Sequence, residues 1–519
     1  MCGIEDRYTK VLNGTRLQMN ESNNARRRVP LNALYSATSW LLPILISFIA
    51  TPILVRALGH EGYGLYALVL GFIGYSFAFG IGKAAAKYVA EFRSGDRLAD
   101  MSDAVSATFW LSVSIGIFGT LVLIIAAPWL VSDVLSVGPE NNDIAVRALW
   151  IASLVIFGTL ISQVFQSILQ GLHRFDRVLL ISNSGNVILN VGNIALVLNG
   201  HGLLALVGWN LAVVIILGAL YLVSAKSLLP ELTIKLKIDP NVKRTALRYG
   251  TAIIASQIFG NVLLIFERTW IVRSFGTESL TYYVVPMMLM LFIHGFVSSI
   301  VLVIFPLLNE HLGSIENVDR IYRSATRFIL AIIFPSIVSV FVVGKLFLSS
   351  WLGDDFANRS FTILTTHSIT FGLLAAVTNV WQVAESLGRA NLNAVFSAIW
   401  LLIGGGLMIF LPNSLGIEGV AVARLIGIVV ALPVFILVEA RLLKGLDVWF
   451  WFSTIWRLFV ASLIMWISQI FCISVISTGW LSVISTSLLG TAVFGFVIYL
   501  LDFFSDEERN ILKSFFNRK

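Results

Sequence analysis

Long apolar runs alternate with short polar stretches along nearly the whole chain. Each run is about 20 residues long, which is the length that an α-helix needs to cross the hydrocarbon core of a bilayer. The pattern predicts fourteen helices, near residues 31–56, 63–88, 104–130, 145–170, 178–199, 203–225, 248–272, 279–307, 325–349, 361–386, 391–411, 417–440, 453–475 and 480–502. The fold class indicated is an all-α polytopic membrane protein with about 14 transmembrane helices.

Composition agrees with this interpretation. Of the 519 residues, 57% are hydrophobic, the mean hydropathy is +0.87 and only 13% are charged, against about 25% in soluble domains. The two cysteines, Cys2 and Cys472, fall in the N-terminal tail and in a predicted helix. They offer neither a disulfide framework nor a metal site, and no cofactor is predicted.

Lys and Arg are distributed unevenly between the two sides of this helix map. Most of the 36 basic residues lie in or beside the N-terminal tail, the even-numbered loops and the C-terminus. The odd-numbered loops hold only Arg56, Arg147, Arg273 and Arg359. By the positive-inside rule the basic side is cytoplasmic, so both termini are predicted to be cytoplasmic. This topology, with contacts to anionic membrane lipids, explains the pI near 9.4 without nucleic acid as a partner.

Both ends of the chain have a recognisable character. Residues 1–29 form a polar tail, predicted to stay cytoplasmic, that ends in three arginines before helix 1. Near the other end, Ser505 and Glu508 have the spacing of a capping box. The apolar residues beyond them share one helical face, so residues 503–519 are predicted to form a cytoplasmic amphipathic tail helix on the bilayer.

The chain contains an internal repeat. "RALGHEGYGLY" from Arg56 matches "RSFGTESLTYY" from Arg273 in its Arg, Gly, Glu and Tyr positions, and weaker matches recur at similar offsets. Six helices per copy bring the second copy in from the same side, so the copies are predicted to be parallel repeats with a site between them. The predicted domains are a six-helix bundle (30–225), a cytoplasmic linker (226–247), a pseudo-symmetric second bundle (248–441) and two additional helices (442–502).

Three segments carry a family resemblance. "TPILVRALGHEGYGLYAL", "KYVAEFRSGD" and "ERTWIVRSFGTESLTYYVV" resemble the Wzx-type polysaccharide flippases of the multidrug/oligosaccharidyl-lipid/polysaccharide exporter superfamily. The resemblance extends over roughly residues 30 to 450. That family commonly has an acid followed by Arg in helix 7, which Glu267 and Arg268 fit, with Glu in place of the more usual Asp.

The resemblance implies a function and a location. Such proteins move undecaprenyl-pyrophosphate-linked oligosaccharides from the cytoplasmic to the periplasmic leaflet of the bacterial inner membrane, for O-antigen, capsule or exopolysaccharide biosynthesis. The expected mechanism is alternating access, without enzymatic chemistry. The expected partners are the lipid-linked glycan, anionic lipids, and a glycan polymerase with its export machinery.

Amide side chains form two stripes inside predicted membrane helices. The asparagines of helix 5 are spaced three, four and three residues apart, which places them on one helical face: Asn183, Asn186, Asn190 and Asn193. Helix 4 adds Gln163 and Gln166. Neutral amides pair with sugar hydroxyls, but they also hydrogen-bond neighbouring helices, so a glycan-facing lumen and interhelical contacts are both open.

Charged residues within the membrane span favour an anionic ligand, because bases outnumber the one clear acid. Arg268 and Arg424 are candidates to hold a pyrophosphate, although each also lies where it could snorkel to the outer interface. Lys83 has two interpretations. It lines the cytoplasmic entrance of the transport path, or it anchors the cytoplasmic end of helix 2 in the predicted topology. Glu267 is the candidate ion or proton carrier, with a simple ion pair as the alternative.

Two rival functions are weaker. A multidrug and toxic-compound cation antiporter of the same superfamily needs acids for organic cations, and residues 31–55 contain no Asp or Glu. An integral-membrane glycan polymerase or ligase resembles proteins with a large catalytic periplasmic loop, and the longest outer loop here, about 131–144, has no His or Arg. The nucleotide-binding pattern GxxxxGK[ST] is absent.

Overall fold

The fold is a bundle of long helices. The computed structural model describes residues 42–74, 82–94, 98–310, 314–387, 389–476, 479–506 and 508–509, and no strand occurs within these ranges. The polar tail, the first part of predicted helix 1 and residues 510–519 of the predicted tail helix lie outside them. The helices are α1 Leu42–Gly74, α2 Gly82–Ser94, α3 Leu98–Trp129, α4 Pro139–Gly171, α5 Phe175–Leu198, α6 Leu203–Leu228, α7 Pro240–Glu310, α8 Ile315–Leu352, α9 Asp354–Ser386, α10 Ala390–Ile399, α11 Gly405–Phe410, α12 Pro412–Leu415, α13 Glu418–Ala431, α14 Pro433–Leu442, α15 Val448–Val475 and α16 Gly479–Leu500.

Twelve helical stretches of the described chain are long and apolar enough to cross a membrane. Two of them, in α1 and α7, contain a glycine with left-handed backbone angles, Gly59 at φ 72° and Gly276 at φ 82°. Glycine adopts these angles without the steric cost that a Cβ imposes. The sequence analysis placed a helix junction at both positions, and the structure does the same.

The chain reverses direction at each of these glycines. The Tyr283 hydroxyl donates to the Glu267 carboxylate, 16 residues earlier in α7, whereas 16 residues of straight helix would span roughly 24 Å. The side chain of Tyr63 likewise lies near Thr51, about three helical turns away in α1. Each of the two stretches is therefore a helical hairpin, with arms 42–58 and 60–74 in α1 and 240–275 and 277–310 in α7. Divided at these two turns, the twelve stretches become fourteen helical segments, the number that the apolar pattern predicts.

The two hairpins meet each other close to their turns. The Thr281 hydroxyl donates to the His60 carbonyl at 2.5 Å. At Gly64, an added Cβ would lie only 1.8 Å from the Thr277 carbonyl oxygen. The missing side chain of Gly64 therefore allows the second arms of α1 and α7 to approach at backbone distance. We call His60, Gly64, Thr277 and Thr281 the joint seal.

The repeated arginines beside the two glycines reach across to the opposite half. Arg56 donates from Nη2 to the Trp351 carbonyl at the end of α8, at 3.2 Å. Arg273 donates from Nη1 to the Asp133 carbonyl in the π-helical turn that follows α3, at 2.9 Å. Both arginines satisfy carbonyls that a helix end leaves without an intrahelical partner. The contacts are reciprocal between the repeats, because each arginine binds a carbonyl of the opposite half.

Several helices begin earlier than hydropathy predicts. α3, α4, α8 and α9 each start six or more residues before the predicted apolar run, because polar first turns continue the same helix. Ser314 caps α8 by accepting from the Asn317 backbone N–H. Prediction from apolar length alone misses such extensions, since it detects only the lipid-crossing part.

The predicted eleventh and twelfth helices are interrupted. A π-helical turn, Trp400–Gly404, separates α10 from α11, and Pro433 begins a new helix immediately after α13. A glycine contact accompanies the π turn: an added Cβ on Gly427 would lie 2.7 Å from the Gly404 Cα. The two helices therefore cross at backbone distance there.

Apolar packing is shared between the halves. The largest buried cluster combines residues from both hairpins with others from α3, α4, α8, α9 and α13. Smaller clusters lie within the first half and within the second half. A further cluster joins α15 and α16 to α8. The additional helices thus attach to the second half.

Charged contacts fasten the segments that follow each half. The inter-repeat linker is held by buried Asp103 of α3, which accepts from Lys235 Nζ at 2.7 Å and from the Asp239 backbone N–H at 2.9 Å. After the second half, Asp447 caps α15 by accepting from the Phe450 N–H at 2.9 Å and pairs with Arg323. The Phe450 N–H, with the Arg323 charge, holds the pKa of Asp447 below its ordinary value.

The start of the C-terminal tail docks on α8. The Ser505 N–H donates to Glu508 Oε2 at 2.8 Å, and the Glu508 N–H reaches Ser505 Oγ at 3.4 Å. This confirms the predicted capping box. Glu508 is itself buried and pairs with Arg327 at 3.0 Å.

Candidate functional site

A buried ion pair lies inside the second half. Glu267, in the first arm of α7, is fully buried and pairs with Arg424 of α13, whose side chain is 2% exposed. The Tyr283 hydroxyl donates to the second carboxylate oxygen. Removing one partner of such a pair costs about 3–5 kcal/mol, because the other charge stays buried. Arg424 therefore does not snorkel to an interface.

Aromatic rings surround the Arg424 guanidinium. Its Cζ lies 5.1 Å from the centre of the Phe371 ring and 5.2 Å from that of Trp400. A desolvated cation over aromatic faces gains about 2 kcal/mol or more. Met287 Sδ lies 3.7 Å from Nη1. The second half thus supplies both a counter-ion and aromatic faces for the Arg424 guanidinium.

Arg268 faces a different direction from its neighbour Glu267. Successive residues of a helix point about 100° apart, and Arg268 leaves its own half to lie against Gly71 in the second arm of α1. An added Cβ on Gly71 would lie 2.6 Å from Arg268 Cδ. Arg268 Nη1 also donates to the Leu264 carbonyl at 3.2 Å. Glu267 and Arg268 are both buried.

The cluster carries one more positive than negative charge. We call Glu267, Arg268, Tyr283 and Arg424 the buried charge cluster. Arg424 offsets the Glu267 carboxylate, and Arg268 adds a second cation at the boundary between the halves. Buried His367 of α9 lies against Tyr283, with ring centres 4.8 Å apart. An excess of positive charge in a low-dielectric setting attracts anions.

A second, uncharged region lies among α4, α5 and α6. Its side chains line a partly open cavity of about 250 Å³, large enough for several water molecules. Its polar lining includes Gln163, Gln166, Asn186, Asn210 and Tyr221. We call it the amide cavity. It brings together residues of both predicted stripes, so part of each stripe shares one space.

The remaining asparagines of the ladder lie elsewhere. Asn193 is 1% exposed and donates to the Tyr66 hydroxyl at 3.1 Å, which is an interhelical contact. Asn190 is half-buried and donates to the Asn186 carbonyl one turn earlier. Asn183 is half-buried and does not line the amide cavity. The ladder therefore changes role along α5, from cavity lining to packing.

One helical segment connects the two regions. The second arm of α1 carries Tyr66, which bonds the asparagine helix, and Gly71, which receives Arg268. These two positions are about 7.5 Å apart along the helix axis. This arm therefore contacts both α5, through Asn193, and the buried charge cluster, through Arg268.

Other predicted residues are placed as follows. Lys83 is in α2, beside Gly82, which packs so closely on α4 that an added Cβ would lie 2.0 Å from Ser167 Oγ. Glu61 accepts from Asn141 at 2.8 Å, and its repeat counterpart Glu278 accepts from Tyr282 at 3.1 Å. Within the described residues, no three His, Cys, Asp or Glu side chains gather as a metal site requires.

Sequence reasoning missed Tyr66, Gly71 and Tyr283 as site residues. Tyr66 and Tyr283 end the two copies of the repeated motif. Each points into its own half and bonds a polar side chain there, so their shared position in the repeat was a usable signal. Gly71 had no such signal, because its role depends on a residue far away in the chain.

Comparison with solved structures shows that this architecture is similar to that of known transporters. The lipid II flippase MurJ in an inward closed conformation superposes with a TM-score of 0.70 and 15% identity, over 90% of this chain and 99% of that one. An inward-facing MATE multidrug resistance transporter superposes with a TM-score of 0.66 and 17% identity, over 78% and 98%. These likenesses establish the fold.

The family follows from the sequence match. The family described as polysaccharide biosynthesis protein matches residues 53–360, more than half of the chain, and the chain belongs to it. A Shigella flexneri protein named "Putative O-antigen transporter" is 23% identical over 400 residues, covering 76% of this chain and 93% of that protein. The resemblance drawn from the motifs is confirmed at the level of family and fold.

Proposed function

We propose that this protein flips a lipid-linked, pyrophosphate-bearing oligosaccharide from the cytoplasmic to the periplasmic leaflet of the bacterial inner membrane, for O-antigen, capsule or exopolysaccharide biosynthesis. The observation that carries the proposal is the position of Arg268. A buried cation at the boundary between two transporter halves is suited to an anion that passes between them. Family membership and the relatives' names support the same class of cargo.

The two regions suit the two ends of such a head group. The forked guanidinium of Arg268 matches a pyrophosphate, which accepts paired N–H donors. The amide cavity offers donors and acceptors without net charge, and sugar hydroxyls need both. Gln163, Gln166 and Asn186 are therefore the proposed glycan contacts, while Asn183 and Asn190 are candidates from the adjacent face. Asn193 contributes by holding α5 to the second arm of α1.

Arg424 and Glu267 support the site from within the second half. Arg424 adds to the positive potential around Arg268. Any proton or metal ion that reaches Glu267 must compete with the Arg424 guanidinium. If Glu267 couples transport to an ion, breaking this pair is the coupling step. Lys83 remains a candidate at the inner mouth.

Alternating access fits the placement of the joint seal. In the topology predicted from Lys and Arg, both hairpin turns are periplasmic, so the seal closes that side. Cargo then enters from the cytoplasm, and the seal must open for release.

A C-terminal alkaline phosphatase fusion is expected to be inactive and a fluorescent protein fusion bright, and the reverse would overturn this orientation.

The test of function is complementation. A strain that lacks its lipid-linked glycan flippase, carrying this chain with the glycosyltransferases that build its cargo, should regain surface glycan. A native-lipid mass spectrum of the purified protein should contain a prenyl pyrophosphate glycan. Neither result is expected if the protein handles other cargo.

A cation antiporter is the rival with the same fold. A positive excess in the buried charge cluster disfavours organic cations. Drug-sensitivity tests in an efflux-deficient strain separate the two functions. Increased drug resistance without glycan export would favour the rival, and a polymerase or ligase would instead lengthen or transfer glycan in vitro.

A polymerase and export machinery are expected to act with this protein in its pathway.

A further inference from the structure

The second arm of α1 contains a notch that is occupied from the other half. At Gly71, an added Cβ would lie 2.6 Å from Cδ, 2.9 Å from Nε and 3.8 Å from Cζ of Arg268. The first two distances are shorter than any normal carbon contact. The three nearest atoms all belong to Arg268. The stem of Arg268 therefore occupies the notch.

The glycines on either side of Gly71 meet different surroundings. Gly64 faces the backbone carbonyl of Thr277, which cannot move without separating the helices. Gly74, nearly one turn after Gly71, is exposed, and no neighbouring atom of the described residues lies within 4 Å of an added Cβ there. Of these three glycines, Gly71 alone has a flexible side chain as its nearest neighbour. A larger residue there would displace Arg268 and leave the helices in place.

Arg268 is held on its other side as well. Its guanidinium donates from Nη1 to the Leu264 carbonyl of its own helix. Its neighbour Glu267 is fixed by Arg424 and Tyr283, which sets the rotation of the helix. These contacts help to set the direction of the Arg268 stem, which packs into the Gly71 notch.

We propose that Gly71 is a positioning residue, whose missing side chain forms the notch that delivers the Arg268 guanidinium to the anionic head group at the boundary between the halves. This inference rests on the proposed function. A guanidinium binds a pyrophosphate through paired hydrogen bonds of fixed geometry, so a displaced stem loses affinity although the charge is retained. Gly71 thereby sets the anion specificity of a cation that belongs to the other half.

The test compares Gly71→Ala with Gly74→Ala. Both variants add one methyl group to the second arm of α1, and they differ in what that group meets. The probe is a prenyl-pyrophosphoryl N-acetylglucosamine, bound to the full-length protein in nanodiscs and measured by calorimetry. Gly71→Ala should weaken binding about tenfold or more, the scale of one charge-assisted hydrogen bond. Gly74→Ala should bind as the wild type does.

A second measurement separates positioning from helix packing. In an Arg268→Ala background the notch is empty, so adding Gly71→Ala should not lower the melting temperature further. In the wild-type background, Gly71→Ala should change the melting temperature, because the new methyl group displaces the Arg268 stem. A packing role of Gly71 that is independent of Arg268 would give the same loss in both backgrounds.

The outcomes distinguish this inference from the proposed function. Wild-type protein that fails to bind the probe would contradict the function, and the melting temperatures would still report whether Gly71 and Arg268 are coupled. Tight probe binding by Gly71→Ala, or an equal effect of Gly74→Ala, would overturn the positioning role while leaving the function intact.

Discussion

Arg424 and Glu267, 157 positions apart in the chain, form an ion pair with both side chains buried in the second half. The pair joins α13 to the first arm of α7, and Tyr283 binds the same carboxylate from the second arm. The Glu267 carboxylate therefore joins three helical segments, which are α13 and the two arms of α7.

Neutralising one member of this pair should destabilise the protein. Glu267→Gln leaves the Arg424 charge buried without its counter-ion, at a cost of about 3–5 kcal/mol. The double variant Glu267→Gln with Arg424→Gln should recover much of that loss. Thermal unfolding in detergent measures it, with Arg147→Gln as the control because that residue is exposed. Strictly additive losses would contradict a coupled pair.

Cysteine labelling should divide the asparagine ladder. In a background without Cys2 and Cys472, Asn186→Cys is expected to react with a small polar maleimide, because Asn186 lines the amide cavity. Asn193→Cys should stay protected, since Asn193 is buried against Tyr66. Equal labelling of both positions would mean that Asn186 and Asn193 share one environment, and it would contradict this division of the ladder.

The joint seal should fail when Gly64 gains a side chain. A Cβ there would lie 1.8 Å from the Thr277 carbonyl, so Gly64→Ala must separate the two hairpins. A cysteine at Thr281 should then become accessible to a membrane-impermeant maleimide added from the periplasmic side. With Gly64 intact it should be protected whenever the seal is closed. Gly74→Ala is the matched control, and labelling unchanged by Gly64→Ala would remove Gly64 from the seal.

The start of α15 should weaken in acid. Asp447 has its pKa held below the ordinary value by the Phe450 N–H and Arg323. Its contribution to stability is therefore complete at neutral pH, and it disappears as the pH falls through the folded-state pKa. Asp447→Asn keeps an acceptor for the cap and should show a smaller fall in melting temperature between pH 7 and pH 3 than the wild type. An identical fall would contradict this role.

Apolar length and charge asymmetry were enough to predict the helical architecture. The repeat also located the hairpin turns, because Gly59 and Gly276 occupy equivalent positions and both adopt left-handed angles. Helix starts were less predictable, since polar first turns such as that of α8 lie outside the apolar run.

Contacts between distant residues were beyond sequence reasoning. Glu267, Arg268 and Arg424 stand out as charges in apolar runs, which is why they were found. Which base pairs with Glu267 depends on how α13 packs on α7, and a periodicity does not contain that information. The asparagine ladder shows the same limit: its spacing fixes one face of α5, while neighbouring helices decide what each amide meets.

Export by Arg268 variants tests the central claim most directly. In a flippase-deletion strain, with membrane abundance checked by blot, Arg268→Ala should abolish surface glycan. Arg268→Lys keeps the charge without the fork and should retain partial export. Arg147→Ala, the exposed control, should export fully. Full export from Arg268→Ala at normal abundance would contradict the assignment of this cation to the anionic head group.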